Sequence, residues 1–192
     1  MTVLIGDKKV RIRNPKLLTY DDYAKLTPPD SGNYELHNGN IIYMPTPTGY
    51  HQTISMNLSA SIWQHIRSRH LGRVLAAPMD TIFSPHDTLQ PDLLFVSKER
   101  EHIIKKQVEG VPDLVVEIKS PSNSVTDMSY KKHVYESTGV KEYWLILPDK
   151  QTLIQYENID NELVRLNVLT RENILKSFVI EGFEIPVKDI FE

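Results

Sequence analysis

The sequence predicts an α/β layered domain: a mixed β-sheet with helices on its faces and a β-rich C-terminal tail. Three observations carry this. The run "LLFV" after Pro91-Asp92, and "LVVEI" from Leu114, apolar except for Glu117, are of strand length, as expected for central strands covered on both sides. Helical periodicity precedes them over 51–72 and follows them over 125–139. With 192 residues, 40% of them hydrophobic, one domain over 1–192 can bury a sizeable core. Its core runs over about 20–150, with the tail over 151–192.

Taken in order, "MTVLIGDKKVRIRNPK" reads as a short hairpin turning near Gly6-Asp7. It lacks the charged start and long apolar run of a secretory signal, and no stretch approaches the ~18 apolar residues of a membrane span. "TYDDYAKL" (19–26) is a short helix with Thr19 as N-cap, ended by "TPPDSGN" (27–33). "YELHNGNIIYM" (34–44) gives two strands around Asn38-Gly39, a strong hairpin signal. Tyr34 and Leu36 share one face of the first, Glu35 and His37 the other. In the helix 51–72, Ile54, Leu58, Ile62 and Ile66 form an i, i+4 row, and Gly72 supplies a stop. Three strands follow, over 74–84, 89–97 and 111–120. The helix 125–139 closes at Gly139. The strand 141–147 turns at Asp149-Lys150 into 152–157, and 162–169 and 177–191 complete the tail.

The absence of cysteine excludes disulfides, thiol nucleophiles and thiolate zinc sites, and it fits a cytoplasmic location. Seven histidines form no HExxH or other compact ligand spacing, and no GxSxG marks a serine nucleophile. The net charge of -3 argues against a basic field over the whole surface, so contacts to nucleic acid would fall to local clusters. Four exist: "KKVRIRNPK" (8–16), "RSRHLGR" (67–73), "KEREHIIKK" (98–106) and "YKKH" (130–133). Each alone reads as a solvated face.

The chemistry gathers at "LVVEIKSPS" (114–122). A period of two sends Val115, Glu117 and Lys119 one way and Leu114, Val116 and Ile118 the other. A buried strand has no packing use for two charges on one face. If the strands holding Asp92 and Glu117 pair antiparallel, Asp92 comes near both Glu117 and Lys119. Two adjacent carboxylates repel unless a proton or cation lies between them, and Mg²⁺ suits carboxylate oxygens. Lys119 would orient or deprotonate a bound water, or offset charge on a phosphorane. The plainer alternative is a Glu117–Lys119 pair at an exposed strand end, worth ~0–1 kcal/mol.

With "PDLLFV", "VVEIKSPS", the "D…K…Y…GV.EYW" run and "YELHNG…H", the chain resembles the PD-(D/E)XK nuclease superfamily, and within it the Uma-type family of restriction endonucleases. The resemblance runs from about Tyr20 to Asp149. It implies a restriction-endonuclease-like fold, dependence on Mg²⁺ (or Mn²⁺), and hydrolysis of nucleic acid, DNA first. It also implies Asp92 and Glu117 as metal-binding acids and Lys119 as catalytic lysine. Glu35 matches an early acidic position, and His51 a histidine after the hairpin that reads equally well as a hydrogen-bonded helix-start residue. Lys131 and Tyr135, i and i+4 on the second helix, reach the site or, for Lys131, snorkel to solvent. Many members carry an apolar residue where this chain has Lys119, and there a lysine matching Lys131 stands in. This chain has both, which leaves the catalytic lysine open between them. Asp113 reads first as a strand-start acid and second as an auxiliary site residue. A homodimer is expected because nucleases that cut both strands often use two sites. The other reading is a non-catalytic module of the same fold that binds nucleic acid or protein.

Overall fold

The computed structural model describes residues 2–5, 8–11, 17–28, 32–120 and 125–192, the first two segments and residue 125 as backbone alone. β1 (Thr2–Ile5) and β2 (Lys8–Arg11) pair antiparallel with Ile5 opposite Lys8. The expected turn residues Gly6 and Asp7 lie outside the described residues, as do 29–31 of the second expected turn. In α1 (Tyr20–Leu26) the Asp22 carboxylate accepts from the Thr19 N–H and hydroxyl, which caps the helix. β3 (Asn33–His37) and β4 (Asn40–Met44) form the expected hairpin. Asn38 and Gly39 take φ of 44° and 70°, the left-handed pair that a two-residue turn needs.

α2 (Gly49–Arg69) buries Ile54, Leu58, Ile62 and Ile66 as the periodicity requires. It stops earlier than expected, at His70 in the left-handed conformation (φ 56°). Gly72 has a different task. It opens β5 (Gly72–Ala76) with φ 144°, and a Cβ there would sit 2.2 Å from the Val96 carbonyl oxygen.

The expected strands 74–84 and 89–97 each break in two. β5 is followed by β6 (Thr81–Ser84), and β7 (Asp87–Leu89) by β8 (Leu93–Ser97). Pro78 and Pro91 lie at the two breaks, where neither can donate to a ladder. Because Ala76 faces Leu93 and Thr81 faces Leu89, the paired strands leave one sheet together and enter another. β9 (Val108–Glu109) and β10 (Leu114–Ile118) follow, then α3 (Val125–Thr138) and β11 (Glu142–Leu147). β12 (Thr152–Ile159) and β13 (Glu162–Leu169) extend the sheet. The tail is β-rich as expected, but within the run 177–191 only β15 (Glu184–Pro186) is strand, after a short β14 (Ile174–Lys176), and α4 (Val187–Ile190) is helical.

The larger sheet has the order β13-β12-β11-β10-β8-β5, antiparallel except for β10 against β11. The smaller runs β4-β3-β7-β6-β9. On one face of the larger sheet, Phe95, Val116 and Trp144 pack with α2 and with Phe183, Ile185 and Ile190 of the tail. On the other, Val115 and Tyr143 pack with Val134 and Tyr135 of α3. No helix among the described residues is long and apolar enough to cross a membrane.

Candidate active site

The corner between the two sheets opens a cleft whose walls include Glu35, His51, Gln52, Asp92, Glu117 and Lys131. The antiparallel register places Leu93 opposite Val116, so Asp92 falls beside Glu117 as the pattern required. Asp92 Oδ2 accepts the Ile118 N–H at 2.7 Å and lies 3.2 Å from His51 Nε2. His51 stands in the first turn of α2, where its N–H donates to the Thr48 hydroxyl, and its Nδ1 is buried without a partner among the described residues.

Lys131 is the centre of the charge arrangement. Reaching in from α3 and only 2% exposed, its Nζ lies 2.9 Å from Glu35 Oε1 and 3.2 and 3.3 Å from the two Glu117 oxygens. Burial alone would drive the proton off this lysine. The Glu117 and Glu35 carboxylates outweigh that and raise its pKa well above the ordinary value. Tyr135, fully buried, donates its hydroxyl to Glu117 Oε1.

The two glutamates sharing this ammonium differ. Burial works against ionisation of Glu35, yet Lys131, His37 and the Gln90 N–H outweigh it and lower its pKa to about 2. His37 Nε2 is 2.7 Å from Glu35 Oε2, and the Gln90 N–H donates to Oε1 at 2.8 Å. For Glu117, burial dominates against Lys131, and the charges of Asp92 and Glu35 raise its pKa further. Glu35 and Glu117 thus share one buried ammonium with the charge of Asp92 nearby, and Glu117 carries the shortfall. The carboxylate oxygens of Asp92 and Glu117, in a set with fewer cations than acids, are of the donor type that a hard divalent ion takes, and His51 Nε2 lies beside them, 3.2 Å from Asp92 Oδ2. Beyond Glu35, its carboxylate, His37 and Asp127 bring one donor atom each within 4.8 Å of one another.

Two expected positions lie elsewhere. Lys119 follows the end of β10, where its N–H still pairs with the Ile146 carbonyl at 2.9 Å, but its side chain is exposed and outside the cleft lining. Asp113 lies at the opposite end of β10, 2.9 Å from Arg100 and 2.7 Å from Lys141, with the Ser97 N–H on its other oxygen. Burial opposes its ionisation, but Lys141, Ser97 and Arg100 outweigh it and lower its pKa. Asp113→Asn is therefore expected to cost about 1–3 kcal/mol near neutral pH. A depressed carboxylate stabilises above its unfolded value of ~3.9 and stops doing so as pH falls through the folded value. Urea melts should show the gap between wild type and variant shrinking below about pH 4.

His37 and Gln90 join the cluster beside the residues that the motifs imply. His37 was legible as the face-mate of Glu35 two residues on, and it stacks on Tyr130 with ring centroids 4.6 Å apart. Gln90 acts through its backbone, which leaves no side-chain signal.

Residues 20–188 match the family model described as Uma2, "Putative restriction endonuclease". The chain belongs to the Uma2 family. Among solved structures it is similar to a putative nuclease of DUF820 from Anabaena variabilis ATCC 29413, with a TM-score of 0.77 and 24% identity over 91% of this chain and 97% of that one. That likeness shows that this Uma2 member shares the mixed α/β fold of that structure, sheets flanked by helices. No curated protein matches the chain.

Proposed function

We propose that this Uma2-family protein is a divalent-metal-dependent endonuclease hydrolysing phosphodiester bonds in DNA. The supporting observation is the cleft in which Asp92, Glu117 and Glu35 converge on buried Lys131. Asp92 and Glu117 would hold Mg²⁺ or Mn²⁺, which supplies Lewis acidity and a more acidic water when bound. Lys131 stays an ammonium, so it is no proton acceptor. It holds the two glutamates and sets positive charge beside the place where the attacked phosphate gains negative charge. Glu35, anchored by His37 and Gln90, keeps Lys131 in position, and Tyr135 orients Glu117. We assign the site lysine to Lys131 rather than Lys119, because it is the buried one of the pair. A two-site homodimer would serve a double-strand cut, and the lack of cysteine suits a cytoplasmic enzyme.

The test is purified protein on plasmid, single-stranded DNA and RNA with Mg²⁺, Mn²⁺ or EDTA, alongside Asp92→Asn. Cleavage of DNA is expected with metal, none in EDTA, and a loss of at least ~100-fold in the variant. Folded protein with no cleavage and no metal-induced thermal shift would favour the non-catalytic binding module instead.

A further inference from the structure

A second groove lies between the C-terminal half of α2, the edge strand β5 and the residues after β8. Its walls include Trp63, Arg67, His70, Arg73, Lys98 and Glu101. Of the two tryptophans in the chain, Trp144 is fully buried, whereas Trp63 is 49% exposed with the Arg67 guanidinium 4.6 Å from its ring centroid. Arg73 and Lys98 reach Glu101 at 3.6 and 2.9 Å. Both cations are largely exposed, and pairs of this kind are worth only ~0–1 kcal/mol, so an arriving phosphate can replace them.

One flank of α2 runs from the cleft to the groove. Gln52 of the cleft wall, Met56, Ser59, Trp63 and Arg67 follow one another at i, i+4, i+7, i+11 and i+15, which sets them along one flank of α2. None of the 21 residues of α2 is acidic, in a chain with 25 acidic residues and net charge -3. Arginines in the last turn also suit the negative end of a helix dipole. That accounts for Arg67 and Arg69 but not for the exposed indole or for Arg73 and Lys98 across the groove.

We propose that this groove binds an unpaired flank of the substrate strand, with a base stacked on Trp63 and phosphates on Arg67, Arg73 and Lys98. The inference rests on the nuclease reading and adds to it a preference for substrates with a single-stranded segment. An exposed aromatic among cations is the arrangement that takes up unstacked bases, because every base has a π-face. From Gln52 to Trp63 the helix rises by about 16 Å, roughly five nucleotides of stacked strand. A second copy of the chain is a poorer occupant, because a two-fold interface here would bring together three cations, Arg67, Arg73 and Lys98, and one acid, Glu101, from each copy.

Intrinsic fluorescence tests this in EDTA, with no cleavage, using a single-stranded DNA of about 12 nucleotides and its blunt duplex. The single strand is expected to quench emission more than the duplex, and Trp63→Phe to abolish the quench while buried Trp144 still emits. Arg67→Ala with Arg73→Ala is expected to weaken single-strand binding roughly tenfold near 0.1 M salt and to reduce the salt slope by about 1.4. Unchanged affinity and no quench, with metal-dependent cleavage intact, would overturn the groove and leave the nuclease standing. Neither binding nor cleavage of any nucleic acid would overturn both. Self-association abolished by Arg73→Glu, without a quench, would give the groove to a second copy and overturn the proposal.

Discussion

Lys131→Met is expected to destabilise the metal-free protein by about 3–5 kcal/mol, on the order of 10 °C in melting temperature. The side chain is 2% exposed and lies within 3.3 Å of oxygens from both Glu35 and Glu117. Methionine fills the volume but leaves two buried carboxylates without their cation, and a third, Asp92, adds repulsion. The same change makes the cluster a stronger ligand for an added cation. Mn²⁺ should therefore raise the melting temperature of the variant by more than it raises that of the wild type, while cleavage is lost. Scanning calorimetry in EDTA and in Mn²⁺ reads both effects. An unchanged melting temperature in EDTA would show that the ammonium does not hold the acids together.

Glu117→Gln carries the largest expected effect on activity. Glutamine keeps the shape and still accepts from Tyr135, so the fold is expected to survive. The negative charge that would hold the metal is removed. Loss of several kcal/mol of transition-state stabilisation corresponds to at least ~1,000-fold in rate. The metal-induced thermal shift should vanish along with cleavage. Cleavage at the parent rate would remove Glu117 from the site.

Much of the framework was legible because hydrophobic periodicity is local. The row Ile54, Leu58, Ile62 and Ile66, the Asn38-Gly39 turn and the apolar runs before Ser97 and Lys119 all appear as the elements they suggest. The errors came where a continuous pattern hid a change of partner. Apolar residues continue through 74–84 and 89–97, but the prolines in each run end one ladder, and the chain resumes in another sheet. Gly72 looked like a helix stop because close approach to Val96 can be seen only in the packed structure.

The sequence by itself determined the positions of two acids, Asp92 before one apolar strand and Glu117 at the end of its neighbour, which the antiparallel register brings side by side. It also determined that Glu35 and His37 share a face. Tertiary structure alone decided which lysine lies beside these acids. A pleat of period two assigns Lys119 to the face of Glu117, but the strand ends at Ile118 and the side chain goes to solvent. Lys131 comes from a helix packed across that face, which buries its ammonium beside two carboxylates. Such a contact is set by how layers stack, and no spacing along one strand contains it.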